Sequence, residues 1–345
     1  MTSPPTLTPL DVALAVLLST RGAVPPRRLP LADAVGKVLA EDVVALAPVP
    51  AATVALIDGH AVASLDLAGA SPYAPAVLPA PPPRVRIGEA LPPGCDAVLP
   101  ADAVTVSGAL AEVGHSPAPG ENARRAGEDG APGHLIRGAG LPFRPIDALI
   151  AGEAGSSAVA VRPATLLVRA DGPMVPWSEA LLSGIPGVEV LVDPAAGARD
   201  PPGSGPDPDL VVLVGRSEAG TAPGLALREA EDAGIAPHGR TPVIVAAARP
   251  SALAALSLAL VRPFFAALTG QPAPRAGLRG PLLRKAASRV GLTEVVLIRD
   301  RGDGLEPLSV GTLPLAALAQ ADGYLLLGPE SEGLAEGSIV EAACL

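Results

Sequence analysis

Four short, nearly continuous apolar runs in the second half of the chain, TLLVRA, VEVLV, DLVVLVG and TPVIVAA, restrict its fold more than any other feature. Runs of this length without an alternating polar face are strands buried on both sides. The stretches 224–233 and 251–268 read as helices. Strands alternating with helices indicate a parallel sheet covered on both faces, a three-layer α/β domain expected over residues 163–271. The Gly-, Pro- and Asp-rich stretch 195–208 reads as a flexible loop within it.

The rest of the chain is patterned differently. Thr8 as N-cap, Pro9 at N1 and Asp11 in the first turn start a helix over residues 8–20, with Leu10, Leu14, Leu17 and Leu18 on one face. A second helix is expected over 31–40, with Leu31, Val35, Val38 and Leu39 on one stripe. From 48 to 134, short Val-rich strands between Pro and Gly turns read as a β-rich inserted domain, flanked by a linker domain of residues 1–47 and 135–162. Beyond Pro272, EVVLIRD, GYLLLG and SIVEAA indicate a small C-terminal β domain, 272–345. Aromatics make up only 2%, against 38 Gly and 42 Pro, so the cores must be built from small aliphatic side chains.

A net charge of −10, with no basic run longer than two residues, argues against a nucleic-acid or anionic-membrane surface. The N-terminal apolar stretch contains Asp11, lacks a basic flank and is well short of the ~20 residues of a membrane span. A cytoplasmic location is expected. Cys95 and Cys344 have no disulfide or zinc spacing and read as packed small side chains. The four histidines show no metal-binding spacing, and His115 and His134 read as isolated surface residues.

Four loops carry candidate chemistry. In Ala55-Leu56-Ile57-Asp58-Gly59-His60-Ala61-Val62, the Asp-Gly pair by itself predicts a hairpin turn. Ile87 to Pro100, IGEALPPGCDAVLP, is a turn-rich loop feeding a strand. Pro119 to Gly130, PGENARRAGEDG, sets Arg124 and Arg125 beside carboxylates among glycines, which can bring guanidiniums to a phosphate while an acid holds a metal ion. Val214-Gly215-Arg216-Ser217-Glu218-Ala219-Gly220-Thr221 directly follows an apolar run. Ligands of open parallel sheets bind beyond the carboxyl ends of strands, where Gly and Ser let backbone N–H groups approach an anion.

In this order, and with LADAVGKVLAEDV at 31–43, the four loops resemble the molybdopterin molybdenumtransferase family, the MoeA and gephyrin E-domain type. Residues 120–130 are similar to its G-x-N-x-R-x-x-G-E-D, 91–100 to its L-P-x-G-x-D-A-V-x-P, and 258–270 to its V-R-P-x-x-x-x-L-x-G helix end. The resemblance runs from about residue 8 to the C-terminus. It implies an elongated, multidomain α/β homodimer, with a molybdopterin-binding α/β domain and a β-barrel-like last domain. The linker domain would also serve dimerisation. The implied reaction inserts molybdate into adenylylated molybdopterin and releases AMP, assisted by magnesium.

Residue by residue, the resemblance implies that Asp58, Asp129 and Asp171 are catalytic, with Asp58 and Asp129 as metal ligands. Arg124, Arg125, Gly215, Ser217, Gly220, His238, Arg240, Pro250 and Ser251 would hold the ligand, and Arg249 could add positive charge. Molybdoenzymes or other cofactor-synthesis proteins would be partners.

The departures are as specific as the matches. The tyrosine of S-A-M-D-G-Y-A is His60, and the T-G-A before L-P-x-G has become Ile87-Gly88-Glu89-Ala90, removing a hydroxyl. S-T-G-D-E-L aligns with Val168-Arg169-Ala170-Asp171-Gly172-Pro173, so Gly172 replaces an acid. A further acid falls near Pro223, the lysines of K-P-G-K-P are replaced within 238–242, and P-G-N-P-V-S-A has shrunk to Ala248-Arg249-Pro250-Ser251-Ala252. Each lost charge at a reaction centre removes on the order of 3 kcal/mol of transition-state stabilisation. An enzyme with altered catalysis is expected; the alternative is a non-catalytic molybdopterin-binding paralogue acting as carrier, regulator or scaffold.

Overall fold

The four apolar runs form strands. In the computed structural model, which describes residues 7–193, 207–215, 223–238, 241–272 and 277–345, with Pro237 and His238 as backbone only, Val188–Asp193, Ala164–Ala170, Leu210–Gly215 and Thr241–Ala247 lie side by side in that order, all parallel. Gly234–His238 closes the edge, antiparallel to Thr241–Ala247. Side chains alternate between the two faces of a strand, and Leu166, Val168, Val212, Val214, Ile244 and Ala246 all enter one core.

Three helical segments share that core. Ala13 and Leu17 of Leu10–Thr20 are fully buried in it, with Leu10, Leu14 and Leu18 packed alongside, the predicted apolar face. This helix therefore packs on the α/β unit rather than standing with the rest of segment 1–47. Met174–Leu182 joins it, as does a continuous helical stretch from Pro250 to Thr269 with a wider π turn at Ser257–Val261. That stretch is long and apolar enough to cross a membrane by length and composition. Its Leu256, Leu260, Phe264 and Phe265 are fully buried, however, making it the central helix of the domain.

Two sequence expectations need correction. Residues 224–233 form no helix: Thr8 N–H donates to Gly224 O at 2.7 Å, and Arg228 N–H to Thr293 O at 2.9 Å. The segment is thus a connector of isolated bridges and turns between the N-terminal and C-terminal parts of the chain. Among the described residues the helices packed on the sheet lie on the Leu166 face. The 31–40 helix stops at Ala34, because Gly36 takes φ +83° and turns the chain into strand Val38–Leu39. A helix cannot pass through that left-handed conformation. Residues 195–206 of the expected loop lie outside the described residues.

The remaining units have their own cores. Arg27–Pro30, Ala158–Arg162 and Val38–Leu39 form a sheet that brings the two flanks of the inserted segment together around Phe143, Leu39 and Val161. Asp147, 1% exposed, anchors helix Pro145–Glu153: it accepts Arg144 N–H at 3.0 Å and Arg144 Nη2 at 2.7 Å, with Arg137 Nε at 3.5 Å. Its burial opposes ionisation, but the Arg144 contacts and the charge of Arg137 hold its carboxyl below the ordinary aspartate range. At the C-terminus a five-stranded antiparallel sheet encloses Val296, Ile298, Leu305 and Ala342. Val295 and Leu297 face the other way, into the α/β core.

Candidate functional site

The inserted β-rich unit draws the first three loops together. Ala55 pairs with Ala123 and Val54 with Arg124, antiparallel, which joins the first loop to the third. Ala55 N–H donates to Glu89 O at 2.9 Å and Gly88 N–H to Ala55 O at 2.8 Å, bringing in the second loop. Val98 N–H donates to Glu121 O at 2.9 Å, and Asn122 Nδ2 to Val98 O at 3.0 Å. Asn122 sits at φ +54°, a conformation Asn tolerates better than most residues.

The Asp58-Gly59 pair does not close a hairpin. Val54–Ala55 and Gly59–Val62 pair with different partners, the latter between Arg84–Val85 and Ala97–Pro100. Gly59 is required by close approach: a Cβ there would stand 2.0 Å from Leu99 O. Asp58 is exposed beside this junction, and its Oδ1 accepts Ile87 N–H at 2.7 Å. His60, 3% exposed, instead points to the interior, and its Nδ1–H donates to Pro82 O at 2.8 Å. The imidazole that replaces the family's tyrosine is thus a satisfied core group.

In the third loop, Arg124 Nη1 lies 3.2 Å from Asp129 Oδ2, both partly exposed. Arg125 Nη2 donates to Pro119 O at 2.9 Å, and its backbone N–H to Glu128 Oε2 at 2.9 Å. The Arg125 guanidinium lies over Gly120, whose missing side chain makes room for it. A shallow cleft of about 490 Å³ opens between Gly120, Arg125, Gly127 and Glu128. His115 is not isolated: its Nε2 is 2.9 Å from Glu121 Oε1. Ala118 N–H, then His115, keeps the Glu121 carboxyl below its ordinary value. Asp96, from the second loop, accepts Ser64 N–H at 2.7 Å and Ser64 Oγ–H at 2.8 Å.

The remaining candidates belong to the α/β sheet. Asp171 follows Ala164–Ala170, Gly215 ends Leu210–Gly215, and Arg249-Pro250-Ser251 follows Thr241–Ala247, so all stand at the carboxyl edge of parallel strands. Gly172 has φ +52° with open space around it. Ser251 Oγ donates to Glu229 Oε2 at 2.9 Å, and Arg249 Nη2 contacts Asp232 Oδ1 at 2.8 Å, so both are engaged by the connector 224–233. Ser217, Gly220 and Arg240 lie outside the described residues. His238 does not join this edge. It pairs with Thr241 at the amino end of the seven-residue Thr241–Ala247 strand, roughly 20 Å from the carboxyl edge at about 3.3 Å per residue. The antiparallel edge strand is the reason: reversal of direction carries His238 to the opposite rim.

No group of three or more His, Cys, Asp or Glu among the described residues could hold a metal ion. Asp129 faces Arg124, and Asp58 already accepts a backbone N–H. Among the described residues these acids therefore form no preassembled cation cage, and a magnesium ion here would have to be held by one or two carboxylates together with substrate phosphates.

Sequence reasoning missed three acids that hold these units: Asp96, Asp147 and Asp209. Asp147 had a local signal in its position three residues after Arg144 with Pro145 at N1, and Asp96 is the acid of the L-P-x-G-x-D stretch, whereas Asp209 had none. Asp209, 6% exposed, accepts Arg21 Nη2 at 2.7 Å and Thr165 N–H at 2.9 Å, tying the N-terminal helix to the sheet.

A β-rich insertion in a linker unit, followed by a parallel α/β sheet and a C-terminal β unit, makes a MoeA-like multidomain fold. Three archaeal structures share this fold: two of the molybdopterin biosynthesis MoeA protein of Pyrococcus horikoshii, at TM-scores 0.64 and 0.59 with 20% and 21% identity, and a molybdenum cofactor biosynthesis protein of Pyrococcus furiosus, at 0.58 and 19%. Each alignment covers 98% of this chain and 99–100% of the other. Residues 8–155 match the MoeA N-terminal region, domains I and II. Over 155 residues the chain is 29% identical to molybdopterin molybdenumtransferase 2 of Mycobacterium tuberculosis, a match spanning 40% of this chain and 38% of that relative. The chain is thus similar to MoeA proteins in fold along almost its whole length and in sequence over residues 8–155.

Proposed function

We propose that this protein acts in molybdenum cofactor biosynthesis as a molybdopterin molybdenumtransferase, inserting molybdate into adenylylated molybdopterin with release of AMP. The observation that carries this reading is the joining of three sequence-distant loops, the first to the third by the Val54–Ala55 and Ala123–Arg124 pairing and the first to the second by the Ile87 N–H that Asp58 accepts. Oriented acids beside guanidiniums can position a water and balance phosphate charge, which is most of what such a reaction asks of a protein. Asp58 and Asp129 are the proposed functional acids, Arg124 and Arg125 the phosphate-facing cations. Asp171, Gly215, Pro250 and Ser251 form the ligand edge of the α/β sheet, the binding place general to open parallel sheets.

The protein is proposed to be cytoplasmic and homodimeric. Leu46, Leu135, Ile146 and Leu149 of the linker unit are 52–65% exposed, an apolar surface suited to a second copy. Molybdoenzymes or other cofactor-synthesis proteins are the proposed protein partners.

The second reading, a molybdopterin-binding carrier, regulator or scaffold without turnover, is favoured by Gly172 in place of an acid and by the engagement of Arg249 and Ser251 with the connector. Purified protein given adenylylated molybdopterin, molybdate and magnesium separates the two. AMP release with molybdenum insertion supports the enzyme. Calorimetric binding of molybdopterin without either product supports the carrier, and absence of both binding and turnover overturns both.

A further inference from the structure

Arg169 is the penultimate residue of Ala164–Ala170, in register with Asp193 on one side and Leu213 on the other. Its neighbours Val168 and Ala170 enter the helical core, so its side chain leaves on the opposite face. The residue is only 4% exposed. A guanidinium stays protonated at any ordinary pH, and burying it without partners is strongly unfavourable. Yet Nε and Nη1 have no hydrogen-bond partner among the described residues. Asp193 Oδ2 stands 3.6 Å from Nε, too far for a hydrogen bond, on a side chain 35% exposed.

A buried orphan donor in a native fold calls for an explanation, and position supplies one. Arg169 stands at the carboxyl edge of the central strands, two pairs from the end of Leu210–Gly215, where a parallel sheet presents its ligand. The alignment above sets it where the family pattern has the threonine of S-T-G-D-E-L. The chain has thus gained a cation at this edge, while His238, aligned with the lysine segment, stands at the other rim. We propose that Arg169 is the anion-binding cation of the α/β unit, donating from Nε and Nη1 to a tetrahedral oxyanion, either a phosphate group or molybdate. The identity of the anion rests on the function proposed above; the donor does not.

The test is calorimetry on the full chain with sodium molybdate in one arm and sodium pyrophosphate in the other. Wild type is expected to bind at least one saturably, and Arg169→Met to weaken that binding by about tenfold or more, as for loss of a charge-assisted hydrogen bond. Asp193→Asn removes the competing carboxylate and is expected to tighten binding, whereas a purely structural ion pair predicts no change. Loss in the molybdate arm assigns Arg169 to the metal oxyanion; loss in the pyrophosphate arm alone assigns it to phosphate. Saturable binding of neither anion by wild type, or wild-type affinity in Arg169→Met, overturns the proposal. Should Arg169→Met fail to fold, unchanged affinity in both Arg169→Lys and Asp193→Asn overturns it equally. Wild-type AMP release alongside an Arg169→Met protein with intact anion binding would sink this inference and leave the proposed function standing. Arg169-dependent binding without turnover would do the reverse.

Discussion

Asp58 accepts the backbone N–H of Ile87, not a side-chain hydroxyl, through Oδ1 at 2.7 Å. The Ile87 side chain is 68% exposed and takes no part in that contact. Replacing the family's hydroxyl residue by isoleucine therefore leaves the acid in place. Ile87→Thr should change stability by less than about 0.5 kcal/mol, as surface substitutions do, and AMP release by no more than about twofold. Asp58→Ala should lower AMP release by about a hundredfold or more. Thermal unfolding and a nucleotide-release assay on the same preparations check both.

Gly59 should be intolerant of any side chain. A Cβ at 2.0 Å from Leu99 O forces Gly59–Val62 away from Ala97–Pro100 and opens the sheet beneath Asp58. Gly59→Ala is expected to destabilise by about 2–3 kcal/mol, an overpacking effect. A lowered urea midpoint would show it; an unchanged one would contradict the packing described.

Asp96 links stability to pH. The Ser64 N–H donates to its carboxylate and, more than any other contact, holds its pKa below the ordinary value. A folded-state pKa below the unfolded one contributes stability above the unfolded value, about 3.9 for aspartate, and loses it as pH falls through the folded value. Asp96→Asn should therefore unfold more easily than wild type at pH 7, and the difference should shrink below about pH 4. Denaturant titrations at pH 7, 5 and 3 measure this, and a gap that widens in acid would refute it.

Asp209 joins two units far apart in sequence. It is 6% exposed and holds both Arg21 and the Thr165 N–H, so Asp209→Ala leaves a guanidinium and an amide without their acceptor. A loss of about 2–4 kcal/mol is expected. Hydrogen exchange should rise first in Leu10–Thr20, whose anchor has gone.

The contrast between these residues shows what was readable in advance. Leu10–Thr20 was legible because its first-turn Asp11 and 3.6-residue apolar spacing lie within a few turns, whereas the expected Thr8 cap is overturned: Pro9 takes the N-cap position without a side-chain cap, and Thr8 bridges to Leu225. The apolar runs were legible because burial on both sides leaves a mark on every residue of a strand. The 224–233 stretch misled because Leu225 and Leu227 are buried by bridges to Thr8 and Thr293, partners that no local pattern discloses. At the site, Asp58 and the third loop were legible as an ordered pattern. The fates of His60, Arg249 and Ser251 were not, since each is decided by a neighbour contributed from another segment.

By itself, then, the sequence determined the strands, the loop order and the family pattern around Asp58 and Asp129, all of which depend on local spacing. Tertiary structure alone decided that Ile87 meets Asp58 through its backbone N–H, that His238 stands at the rim opposite Asp171 and Gly215, and that Arg169 is buried with donors to spare. Strand direction, register and burial are properties of residues meeting across the fold, and only the folded chain brings them together.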